Sequence, residues 1–180
     1  LYNRIIIRFI KLVMEGQGLK LYVFGSENIP TTGGALLAVN HTGYYDFILG
    51  GIPSHLRGKR LTRFMAKKEI FDTPVVGQLM RGMSHTPVNR AKGAGSLDNA
   101  VQRLQQGQLV GIFPEATISR SFEIKNLKTG AVRIADSAGV PLLPLIIWGG
   151  QRVITKDIES NMGRSNTPIF IKVGAPVDPS

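Results

Sequence analysis

The chain has 180 residues, 43% of them apolar, enough to bury one core and too few for two, so a single domain over 1–180 is expected. It contains no cysteine, which excludes disulfides, thiolate nucleophiles and cysteine-based zinc sites and fits a reducing compartment. A formal net charge of +10 points to anionic partners: nucleic acid, phospholipid headgroups or a phosphate-rich small molecule. The chain opens on Leu1 and closes just after Pro176-Val177-Asp178-Pro179, and is expected to be a piece of a longer polypeptide.

Residues 1–14 place Arg4, Arg8 and Lys11 on one stripe at helical spacing while most other positions are apolar. The segment is too short to span a bilayer, which needs about 20 apolar residues. Its apolar arc is wider than a soluble core requires, so it reads equally as a helix capping the core and as a basic amphipathic helix at a membrane surface. Strands are predicted at 19–24, 35–39, 64–66, 86–89, 109–113, 142–147 and 169–173. Helices are predicted at 96–106, with Ser96 as N-cap and Gly107 closing it, and at 129–138, ended by Gly139. Strands alternating with helices predict an α/β fold: a central, mostly parallel sheet flanked by helices.

Chemistry concentrates at two strand ends. The run 35–39 leads into Asn40-His41-Thr42-Gly43-Tyr44-Tyr45-Asp46, so His41 emerges at the carboxyl edge of the sheet, where α/β folds place their sites. A histidine held by a carboxylate is a general base with its tautomer fixed and its imidazolium stabilised. Residues five apart lie about 140° from each other on a regular helix, so His41 and Asp46 meet only if the chain bends, which Gly43 permits. A second apolar strand delivers Phe113-Pro114-Glu115-Ala116-Thr117, a carboxylate and a hydroxyl.

These segments, with Thr86-Pro87-Val88-Asn89-Arg90, Leu127-Lys128-Thr129-Gly130-Ala131 and Val140-Pro141-Leu142-Leu143-Pro144-Leu145, resemble the glycerolipid acyltransferase family in order and separation over most of the chain. The best-known members are the lysophosphatidic acid acyltransferases. The resemblance implies that His41 takes the proton of the acceptor hydroxyl, Asp46 orients it, and the oxygen attacks an acyl thioester directly. It further implies that Glu115 holds or orients the acceptor and that Arg90 meets its phosphate, with Thr117 beside them. The family's usual arginine after this glutamate is replaced by Ile118, and Arg120 stands two residues away as a substitute. The implied reaction moves a long-chain acyl group from acyl coenzyme A, or an acyl carrier protein, to 1-acylglycerol-3-phosphate. Ile118 keeps a glycolipid or other acceptor open. No metal and no cofactor are expected, acyl coenzyme A being a co-substrate. The expected location is the cytoplasmic face of an anionic membrane.

The basic cluster Arg57, Lys59, Arg60, Arg63, Lys67 and Lys68 is either a solvated face or a contact for lipid headgroups or coenzyme A phosphates. Only Phe64 interleaves it, whereas a nucleic-acid surface needs aromatics for base stacking, so no nucleic-acid partner is expected. Ser119 and Ser121 lie outside any Gly-x-Ser-x-Gly elbow, which argues against a serine nucleophile. His55 and His85 have no carboxylate partner in the local sequence. A non-catalytic lipid-binding module of the same fold is the alternative from another class.

Overall fold

The computed structural model describes residues 2–89 and 93–179. Helix α1 (Tyr2–Gly16) leads into β1 (Lys20–Phe24) and β2 (Ala35–Val39). Four short helices follow around the third strand: α2 (Asp46–Leu49), α3 (Ile52–Gly58), β3 (Thr62–Lys67), α4 (Lys68–Phe71) and α5 (Pro74–Gly82). The remainder alternates β4 (Thr86–Val88), α6 (Gly93–Gln105), β5 (Leu109–Ile112), α7 (Gly130–Ala138), β6 (Leu142–Trp148) and β7 (Pro168–Val173).

All seven strands join one sheet in the order β1-β7-β6-β2-β5-β3-β4. Every pairing is parallel except β6 with β7, so β7 and β1 run against the other five. The α/β architecture expected from the pattern is the one observed, and each predicted strand is present within two residues at either end. Helix α7 closes on Gly139 at φ 63°, the left-handed cap that ends the helix there. Helix α6 starts at Gly93, so Ser96 lies inside its first turn instead of capping it.

The central strands β2 and β5 are buried almost throughout, as parallel strands covered on both faces must be. One face carries Leu37, Val39, Leu145, Ile147, Ile169 and Ile171 against Met14 of α1 and Leu49 of α2. The other packs Leu36 and Val110 against Leu104 of α6 and Ile134 of α7. On the β6–β7–β1 side of that second face, Trp148 pairs with Phe170, and Phe170 with Tyr22, in one exposed row. The Tyr22 and Phe170 rings stack at 5.1 Å between centroids.

Helix α1 turns Ile6 and Met14 to the core and leaves Ile5, Phe9 and Leu12 exposed beside Arg4, Arg8 and Lys11. Among the described residues no helix is long and apolar enough to cross a membrane.

Candidate active site

Because β2 and β5 are adjacent and parallel, the segments that follow them leave the same edge of the sheet side by side. Asn40 extends β2 by one residue: its main-chain N–H donates to Leu145, and its side chain exchanges two hydrogen bonds with the main chain of Ile147, at 3.0 and 2.7 Å. The next residue is His41, which therefore leaves the sheet from a fixed point.

The chain then bends, and Asp46 at the start of α2 returns its carboxylate to His41. Asp46 Oδ2 lies 3.0 Å from His41 Nδ1 and accepts the N–H groups of Thr42 and Gly43 at 2.7 and 2.9 Å. Asp46 is fully buried, and these three contacts converge on one of its oxygens. That carboxylate makes Nδ1 the protonated nitrogen, leaving the Nε2 lone pair as the basic one. Gly43 permits the bend without entering the left-handed region. A Cβ there would stand 3.0 Å from the Ile154 carbonyl and 3.2 Å from Gln151 N, so any larger residue would have to push the 149–155 loop back by a few tenths of an ångström. That loop backs the site: Thr155 Oγ1 donates to the Thr42 carbonyl at 2.6 Å and Tyr44 N–H donates to Ile154.

The imidazole lies on an aromatic floor. It stacks on Phe113 at 4.1 Å, with Phe47 meeting it edge-on at 5.8 Å, and Phe64 stacks beneath Phe113. His85 closes this cluster from the side: its Nδ1 accepts the Phe64 N–H at 2.9 Å, and its ring meets Phe64 at 5.9 Å. Burial, reinforced by Arg63 and Arg103, pushes the His85 pKa down to about 4, so it is neutral at ordinary pH.

Glu115, 4% exposed, also sits at this edge. Its Oε1 accepts the His41 main-chain N–H at 2.8 Å and its Oε2 accepts that of Lys125 at 3.1 Å, while the Ser119 N–H donates to the His41 carbonyl at 2.7 Å. The loop after β5 is thus bound to the histidine through main chain on both sides. Ala116 adopts φ 59°, the left-handed conformation that glycine takes without cost. Thr117 is exposed at the same end of β5.

The structure therefore brings together His41, Asp46 and Glu115. Arg120 is drawn into an exposed ion pair with Asp157 at 2.8 Å, and Arg90 lies outside the described residues. The basic cluster does not form one patch. Arg57 and Lys59 precede β3 while Lys67 and Lys68 end it, on opposite edges of the sheet. Arg60 is occupied by the carbonyls of Pro30, Gly33 and Gly107, and Arg63 by that of Met83. Sequence reasoning missed the roles of Asn40, Phe47, Phe113 and His85. An aromatic residue directly before Pro114-Glu115 and an asparagine directly before the histidine were the signals available.

A family model described as Acyltransferase matches residues 20–148. The 1-acyl-sn-glycerol-3-phosphate acyltransferase of Bacillus subtilis (strain 168) is 33% identical over 144 residues, 78% of this chain and 68% of that protein. The chain belongs to the acyltransferase family. Its relatives include the enzyme of the same description from Borreliella burgdorferi, 27% identical over 94% of this chain and 66% of that one. Among solved structures, the 1-acyl-sn-glycerophosphate (LPA) acyltransferase PlsC of Thermotoga maritima superposes with a TM-score of 0.69 at 28% identity, over 94% of this chain and 68% of that protein. The chain thus spans about two thirds of the length of these acyltransferases.

Proposed function

We propose that this acyltransferase domain moves a long-chain acyl group from acyl coenzyme A to the free hydroxyl of 1-acylglycerol-3-phosphate, giving phosphatidic acid, with His41 as general base. The observation that carries the reading is the His41–Asp46 pair, which leaves Nε2 bare on an aromatic floor. Nε2 removes the acceptor proton as its oxygen attacks the thioester carbonyl. Asp46 stabilises the imidazolium, the C–S bond of the tetrahedral intermediate breaks, and the proton passes to the departing thiolate. No acyl-enzyme is formed.

Arg90 would supply a planar guanidinium to the acceptor phosphate, with Thr117 at the rim. A groove of about 320 Å³ between α1 and α5, lined by Phe9, Met14, Tyr45, Ile48, Val75 and Leu79, suits an acyl chain. The exposed Ile5, Phe9 and Leu12 flanked by Arg4, Arg8 and Lys11 suit an anionic cytoplasmic membrane surface.

The test is release of free coenzyme A from palmitoyl coenzyme A, on anionic vesicles, with and without lysophosphatidic acid. Acceptor-dependent release that disappears in His41→Ala is expected. Absence of release from folded protein, while palmitoyl carrier protein supports transfer, would change the donor. Absence with both donors and with glycolipid acceptors would leave a lipid-binding module.

A further inference from the structure

A phosphate monoester held beside a base needs a cation there, and the loop after β5 offers three. Arg120 is engaged by Asp157. Lys128 follows the loop's return, its main-chain N–H bound to the Pro114 carbonyl at 3.0 Å. Lys125 is placed differently. Its main-chain N–H is held by Glu115 Oε2, the partner oxygen of the one that holds His41, and its Nζ donates to the Ile118 carbonyl at 3.4 Å. The peptide joining Ile118 to Ser119 presents its other end, the Ser119 N–H, to the His41 carbonyl. The ammonium of Lys125 is therefore one peptide group away from a direct hydrogen bond to the residue that bears the base.

We propose that Lys125 is a specificity-determining residue, reading the acceptor phosphate from the place that Ile118 leaves without charge, with Glu115 fixing base and cation to one carboxylate. The inference rests on the acceptor assigned above. Among the described residues no carboxylate lies within ion-pair distance of the Lys125 ammonium, which is exposed and retains donors for a second partner. Lysine suits the task because its head is a compact charge with three donors on a flexible stem, able to leave a 3.4 Å carbonyl contact for a phosphate oxygen. Arg120 differs in that its Nε is already paired with Asp157. Glu115 acts here as a positioning residue through main-chain N–H groups.

The test compares wild type, Lys125→Ala and Lys125→Arg, with Lys172→Ala on β7 as a charge control, using palmitoyl coenzyme A with lysophosphatidic acid or with 1-monoacylglycerol. Losing a hydrogen bond to a charged group predicts a rise of about 10- to 100-fold in the lysophosphatidic acid KM of Lys125→Ala. The donor KM should stay within about twofold and the preference for the phosphorylated acceptor should collapse, while Lys125→Arg and Lys172→Ala keep both. Unchanged acceptor KM in folded Lys125→Ala, or equal rises for donor and acceptor, would overturn the role of Lys125 alone. A wild type that transfers no acyl group to lysophosphatidic acid would overturn the acceptor assignment and this inference with it.

Discussion

Asn40 and Ile147 bind each other as neighbouring strands do, except that one partner is a side chain: the carboxamide donates to the Ile147 carbonyl and accepts from its N–H. The sheet's order thereby reaches one residue past β2, to the residue before His41. Asn40→Ala strands two polar groups of the fully buried Ile147. We expect a loss of about 2–3 kcal/mol, a Tm lower by about 5–10 °C, and a fall in kcat larger than any change in donor KM. Thermal unfolding together with steady-state kinetics checks this; a variant with wild-type Tm and kcat would show that the extension is dispensable.

Asp46→Asn keeps the size of the side chain and can still accept from the Thr42 and Gly43 N–H groups. It removes the charge that opposes the imidazolium. The fold should survive while kcat drops by about 10²- to 10⁴-fold. Near-normal turnover would sink the pairing of Asp46 with the base.

At Ala116 the backbone is left-handed, which costs an L-residue about 1 kcal/mol or more and glycine nothing. After subtracting glycine's greater freedom in the unfolded chain, Ala116→Gly should stabilise the protein by about 0.5 kcal/mol, about 1–2 °C in Tm. A lower Tm would mean that the methyl group makes a contact outweighing the strain.

The seven strands were legible because apolar runs such as 35–39 and 109–112 are bounded by glycine and polar turns, and central parallel strands are apolar on both faces. The reversal of β7 and β1 was not, since strand direction leaves no mark on composition. Helices α2 and α4 have four residues each, too few for a 3.6-residue period to show. At the site, His41 and Asp46 were legible from their side chains and their place after a strand. What Glu115 does was not, because both its partners are main-chain N–H groups, identical in every residue but proline. The capture of Arg120 by Asp157 joins residues too far apart in the chain for local pattern to connect.

His85 gives the fold a pH dependence of definite sign. Its folded pKa of about 4 lies below the ordinary histidine value of 6.5, so between those values it is neutral in the folded state while the unfolded chain is protonated. The stability it contributes is complete above pH 6.5 and is lost as pH falls toward 4, with uptake of up to about one proton on unfolding. His85→Gln, which retains an acceptor for the Phe64 N–H, should flatten Tm against pH over that window. Parallel curves for variant and wild type would assign the acid sensitivity elsewhere.

The segment 114–128 leaves β5 and returns to its own root, where the Lys128 N–H meets the Pro114 carbonyl. Its other ties to the base, Glu115 to His41 and Ser119 to His41, are main-chain contacts or run through a single carboxylate. It is a closed cassette on a rigid socket: its outward residues can be exchanged without disturbing a strand, a helix or the aromatic floor. We expect a graft of this one segment from a relative to shift acceptor preference while the proton chemistry of His41 and Asp46 stays behind.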